Sequence, residues 1–337
     1  MNNYLPLICG ISGPEISNLE TQFIKKFNPW GVIIFERNCK SKNQLTELTG
    51  ALRAITHEHL PILIDQEGGR VSRINYTDSV VFDPARIFGE MLEKNIEIGS
   101  RALSLHSMIM ASSLKELGIN INTIPVLDIP SKNESGIIGD RSYSYHKEVV
   151  AKAGKIVIES LSVNGVASVI KHIPGHGRAK VDSHLDLPIV ETSISELEKV
   201  DFYSFKENKN ADLAMTAHII YKDIDADQPA TLSKKIINDI IRKKIGFNGL
   251  ILTDDISMKA IKISVAEAAV KSLDSGCDLV LHCNGNMEEM ESIAESINKE
   301  SNLIGIPDNL MKIFGIKLAV QLNELKAELQ KILEALD

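Results

Sequence analysis

The segment VIKHIPGHGRAKVDSH, residues 169–184, places three histidines and an aspartate behind an apolar start and a Pro–Gly break. Imidazole is the side chain whose ordinary pKa lies near neutrality, so such a loop suits proton transfer. Asp182 stands two residues before His184, and in extended backbone that spacing puts both on one face. A carboxylate there would fix the imidazole's tautomer and raise its basicity. His172, His176 and His184 could instead hold a metal. A loop broken at Pro174, Gly175 and Gly177 is a poor rigid cage, however, and neither HxH nor HExxH occurs within it. No metal and no other cofactor is expected.

Two further segments carry acids. In GLILTDDISM, residues 249–258, an apolar run ends in two adjacent carboxylates. Neighbouring strand residues face opposite ways, so only one of Asp254 and Asp255 can meet a substrate. The other is free to cap a helix or bond the backbone, and periodicity does not choose between them. In ILIDQEGGRVSR, residues 62–73, Asp65 precedes the turn-forming pair Gly68–Gly69, with Arg70 and Arg73 beyond. A carboxylate and a guanidinium together can grip vicinal hydroxyls.

These groups need a frame. Apolar, β-rich runs occur at 5–11, 31–35, 61–65, 120–128, 166–172, 213–218, 249–254 and 279–283. Amphipathic stretches alternate with them, at 44–54, 99–117, 148–164, 194–208, 234–245 and 265–275. Strands apolar on both faces, separated by helices, form parallel sheets. Eight such units predict an α/β fold, a single (β/α)8 barrel of the TIM type. An open doubly wound sheet is the alternative, but no GxGxxG follows the first run. Asp65, Asp128, Lys171, His172, His218, Asp254 and His282 lie at or beside run ends, where this barrel carries its active site. Each alone could merely cap a helix.

Residues 1–300 are expected to form the barrel and 301–337 a C-terminal helical extension. There Leu318, Leu322, Leu325, Leu329, Ile332 and Leu336 recur at spacings of four and three. Under three heptads is short for a coiled coil, so the reading is a helix packed on the barrel of a monomer, with a dimer contact the lesser alternative.

The 337 residues include four cysteines with no CxxC pair, as expected of a reduced, cytoplasmic protein. The N-terminus has no basic stretch and no apolar core long enough for a signal peptide. No run approaches the ~20 apolar residues of a membrane span. A net charge of −8 without a basic stripe argues against a nucleic-acid partner. Aromatics are 5%, with Trp30 the one tryptophan, so recognition should rest on hydrogen bonds and charge.

DQEGGRVSR (65–73), GDRSY (139–143), KHIPGHG (171–177), DSH (182–184), MTAHIIY (215–221) and TDDISM (253–258) together resemble the family 3 glycoside hydrolases. The likeness is strongest to the bacterial β-N-acetylglucosaminidases of peptidoglycan recycling and spans nearly the whole chain. It implies Asp254 as nucleophile, His184 as acid/base with Asp182 as partner, and Asp65, Arg73, Arg141, Lys171 and His172 as binders of N-acetylglucosamine. The implied substrate is N-acetylglucosaminyl-1,6-anhydro-N-acetylmuramic acid, with or without peptide. Ile173, Thr253 and Asp140 stand where Phe, Ser and Glu are usual. A family 3 β-glucosidase, a phosphorylase, a metal-dependent hydrolase using His172, His176 and Asp254, and a non-catalytic sugar-binding barrel are the competing readings.

Overall fold

The computed structural model describes residues 3–131, 137–179, 186–300, 303–317 and 322–335, without the side chains of 299 and 300. Among the described residues ten strands are formed: β1 (Leu5–Gly10), β2 (Pro29–Ile34), β3 (Ile62–Ile64), β4 (Ile121–Asn122), β5 (Ala167–Ile173), β6 (Ile189–Val190), β7 (Leu213–Thr216), β8 (Ile220–Tyr221), β9 (Leu250–Leu252) and β10 (Val280–His282). Eight make one parallel sheet in the order β10-β1-β2-β3-β4-β5-β7-β9. A parallel bridge from Leu252 to Leu279 joins its two ends and closes the barrel. At this seam Thr253 N–H donates to Leu279 O (3.0 Å), and Leu281 N–H donates to the Thr253 hydroxyl (2.9 Å). β6 and β8 pair separately.

The eight predicted runs are the eight barrel strands. Side-chain alternation splits each strand between two cores. Leu63, Val169, Leu213, Met215, Leu252, Leu279 and Leu281 fill the barrel interior, while Ile62, Ile64, Ile170, Ala214, Ile251 and Val280 pack outward against helices. The 120–128 run pairs regularly only at Ile121–Asn122. Pro125 has no N–H to donate, and the chain beyond it touches β5 through single bonds, such as Leu127 N to Lys171 O at 2.7 Å.

The helices stop and start where the sequence supplies caps. Ser17 and Glu20 form a reciprocal capping box on the helix Asn18–Phe27, which ends at Asn28 in the left-handed region (φ 49°). The stretch 194–208 is two helices, Ile194–Lys199 and Asp201–Glu207.

Beyond residue 300 the chain does two things. Tyr4 and Ile304 exchange backbone hydrogen bonds of 2.8 and 2.9 Å, and Trp30 Nε1–H donates to Gly305 O (3.3 Å). The helix Asp308–Phe314 then sends Leu310, Ile313 and Phe314 into the interior core, stopping the barrel's lower end. The last described helix, Leu322–Glu334, lies outside, burying Leu325 and Leu329 against Ile96–Glu116 and pairing Glu328 with Arg101 at 2.6 Å. Leu318 and Leu336 lie outside the described residues. No described helix is long and apolar enough to cross a membrane.

Candidate active site

A cavity of about 330 Å³ opens at the C-terminal ends of the barrel strands. Met215 and Leu281, the top of the interior core, line its apolar part, and Asp65, Glu67, Arg73, Arg141, Lys171, His172, His176 and Asp254 line its polar part. Its volume is at the lower end of ligand pockets, suited to a single small polar ring.

Five charged side chains form one cage. Lys171, at the end of β5, donates to Asp65 Oδ1 (3.1 Å), Glu67 Oε1 (2.7 Å) and the Thr123 hydroxyl (3.0 Å). Arg141 grips Glu67 with both arms, Nε to Oε2 at 2.7 Å and Nη2 to Oε1 at 2.8 Å. Arg73 reaches Asp65 Oδ2 at 3.3 Å, and the Thr123 hydroxyl donates to Asp65 Oδ1. Lone buried charges would be driven neutral; paired ones stay ionised. Burial alone would raise Glu67, but the Lys171 ammonium and the Arg141 guanidinium outweigh it and hold its carboxyl at about 2. Burial likewise opposes ionisation of Asp65, and Lys171 and Arg73 prevail, keeping it below the usual carboxylate range. Lys171 is held above its ordinary value by Asp65 and Glu67 against burial, and Arg141 by Glu67. The result is a preorganised set of donors and acceptors facing a cavity.

The neighbouring imidazoles hang from Asp128, whose side chain is fully buried. Its Oδ2 bonds His172 Nδ1 (2.7 Å), and its Oδ1 accepts from His176 N–H (2.6 Å). His172 and His176 keep Asp128 ionised against its burial. Burial, then the neighbouring His172, pulls His176 down to about 4. The Pro–Gly segment is built for close approach: a Cβ on Gly177 would sit 1.9 Å from Ile129 O, and Gly175 adopts a φ of 139°. Tyr221 hydroxyl donates to Gly175 O (2.6 Å) and Arg178 Nε–H to Asp201 Oδ2 (2.8 Å), anchoring the segment up to residue 179.

The two carboxylates after β9 take different surroundings. Asp254 lines the cavity and accepts from Asp255 N–H (2.8 Å). Asp255, also at the cavity wall, turns its carboxylate to Ser257 N–H (3.0 Å), the Ser257 hydroxyl (2.9 Å) and Cys283 N–H (3.2 Å). It therefore spends its acceptors on protein groups. This is the backbone-bonding role that alternation allowed for one of the pair.

Asp65, Arg73, Arg141, Lys171, His172 and Asp254 thus share one cavity. Asp182 and His184 fall outside the described residues. His282 points away, bonding Glu289 on the following helix at 2.7 Å. Among the described residues no group of three or more His, Cys, Asp or Glu is arranged to hold a metal. The four cysteines are buried and unpaired. Glu67 and Thr123 are side chains that sequence reasoning left without a role, and Asp128 was placed by it at a run end but given no partner. Glu67 stands two residues after Asp65, and that same-face spacing was the one available signal.

The profile of the glycosyl hydrolase family 3 N terminal domain matches residues 8–313. A β-hexosaminidase of Nitrosomonas eutropha is 35% identical over 286 residues, 83% of this chain and 80% of the relative. Native NagZ from Neisseria gonorrhoeae superposes with a TM-score of 0.84 at 28% identity, covering 98% of this chain and 96% of that one. The same protein in complex with N-trifluoroacetyl-D-glucosamine gives 0.83 at 27% identity, with equal coverage.

Proposed function

This chain belongs to glycosyl hydrolase family 3, and from that premise we propose that it is a retaining exo-glycosidase releasing terminal β-linked N-acetylglucosamine from peptidoglycan fragments in the cytoplasm. It is a glycoside hydrolase with N-acetylhexosaminidase activity. The substrate within that class is N-acetylglucosaminyl-1,6-anhydro-N-acetylmuramic acid, with or without its peptide. The observation that carries the reading is the cavity itself. It has room for about one sugar ring, a charged cage to hold hydroxyls, and the Asp254 carboxylate at its wall. The unpaired cysteines support a reducing compartment.

In this mechanism Asp65 and Glu67 accept hydrogen bonds from the sugar's hydroxyls, Arg73, Arg141 and Lys171 donate, and His172 offers its Nε2. Asp128 fixes His172 through Nδ1, so Nε2 faces outward. Asp254 attacks the anomeric carbon as the glycosidic C–O bond breaks, and protonated His184, oriented by Asp182, gives its proton to the leaving oxygen. A glycosyl ester forms on Asp254. Neutral His184 then takes a proton from water, which attacks the same carbon and frees Asp254. Two inversions give net retention. Most retaining enzymes use a second carboxylate where this one uses an imidazole.

The test compares three substrates: the anhydromuramyl disaccharide peptide, an aryl β-N-acetylglucosaminide and an aryl β-glucoside. Release of N-acetylglucosamine from the first two, appearing first as the β-anomer by NMR, is expected. Asp254→Asn is expected to lower kcat on the order of 10⁴-fold while free N-acetylglucosamine still binds. Turnover by that variant, or the α-anomer appearing first, would refute the mechanism. Preference for the glucoside would refute the substrate.

A further inference from the structure

His218 is fully buried and does not line the cavity, yet both its ring nitrogens are committed. Nε2 lies 3.0 Å from Asp255 O and Nδ1 lies 2.7 Å from the Thr231 hydroxyl. A carbonyl only accepts, so Nε2 carries the hydrogen. The Thr231 hydroxyl is itself held by Thr216 Oγ1 (2.8 Å) and lies 3.2 Å from Ala217 O, so the ring cannot turn without breaking several bonds. His218 therefore grips the main-chain carbonyl of Asp255, the residue after Asp254. The Asp255 N–H holds Asp254 Oδ1 at 2.8 Å, and its carbonyl also accepts from Met258 N–H at 3.1 Å, closing a turn. Met258 fixes the turn internally, and Cys283 N–H ties the Asp255 carboxylate to β10. His218 supplies the tie to the loop after β7, on the other side of β9.

We infer that His218 is a positioning residue for the Asp254 carboxylate, acting through the main chain of Asp255. The inference rests on Asp254 being the nucleophile. Without the imidazole donor the turn is held from the β10 side alone. The Asp255 N–H that orients Asp254 Oδ1 then loses its fixed place, and small displacements of an attacking atom are costly.

The test uses two amides of different reach. A glutamine amide nitrogen overlays imidazole Nε2, whereas an asparagine nitrogen overlays Nδ1 and falls short of Asp255 O. On an aryl β-N-acetylglucosaminide, His218→Gln is expected to keep most of kcat, and His218→Asn to lose on the order of 10²-fold. The inhibition constant of free N-acetylglucosamine should be unchanged in both. Equal kcat values for the two variants, or a loss confined to the inhibition constant, overturn the inference. Thr231→Val removes the hydrogen-bond partner of Nδ1, letting the ring turn, and should lower kcat without weakening inhibitor binding. Full activity there also overturns it, should the asparagine variant fail to fold. Asp254→Asn is measured alongside. If it turns over substrate, the nucleophile assignment falls. If it is dead while His218→Asn is fully active, only the positioning role falls.

Discussion

At the scale of residues, the decisive unit is a carboxylate that touches two cations. Glu67 satisfies Lys171 and Arg141 at once, and removing its charge leaves both short of a partner in a buried site. Breaking such a pair is costly even where making it was not profitable. Glu67→Gln is therefore expected to destabilise the fold by about 3 kcal/mol at pH 7 and to weaken inhibition by N-acetylglucosamine. The pH dependence has a definite sign. With its folded pKa at about 2 against an ordinary 4.5, Glu67 contributes stability that is present above pH 4.5 and is lost as pH falls towards 2. Melting curves of wild type and Glu67→Gln should converge over that window; a constant gap would show that Glu67's charge is not the cause. Motif reading collected Asp65, Arg73, Arg141, Lys171 and His172, all in the cavity. It gave Glu67 no role, because its partners are 74 or more residues away and only barrel closure brings them together.

At the scale of elements, the eight strands were legible because each is apolar on both faces, which only a strand covered on both sides tolerates. Boundaries were less legible where local chemistry intervenes, as at Pro125, which shortens β4. The helix Ile96–Glu116 shows a second departure. His106 sits in its buried face between Phe82 and Phe88, with ring centroids 5.4 and 4.3 Å away. Burial pulls it down to about 3 from an ordinary 6.5. A histidine buried uncharged contributes stability present above pH 6.5 that drains as pH falls towards 3. His106→Leu should flatten the loss of melting temperature between pH 6 and about 4. An unaltered slope would assign acid sensitivity elsewhere.

At the scale of the molecule, the chain beyond residue 300 is more than an appendage. Leu310, Ile313 and Phe314 belong to the interior core, with Tyr4 and Trp30. Their i, i+3, i+4 spacing fills a single turn, too brief a pattern to mark a barrel plug, which is why the sequence suggested one outer extension instead. A chain ended after 317 should fold and retain activity, losing the Leu325 and Leu329 contacts and the Glu328–Arg101 pair. A chain ended after 300 exposes the barrel's lower core and is expected to aggregate. Soluble, active protein from the shorter chain would show that the plug is dispensable. The comparison needs only expression, gel filtration and an aryl-glycoside assay.

One feature of the barrel wall bears on how the molecule breathes. Where β9 meets β10, a side chain stands in for main chain, because Leu281 N–H is bonded to the Thr253 hydroxyl. That amide is protected by one rotatable group, whereas amides along β2 and β3 are protected by a regular ladder. In hydrogen–deuterium exchange the barrel should therefore open first along this seam, directly below Asp254. Thr253→Ser should leave the exchange of Leu281 slow, and Thr253→Val should release it. The protein's slack is then concentrated beside its proposed nucleophile, and a ligand filling the cavity should slow exchange there more than anywhere else in the wall.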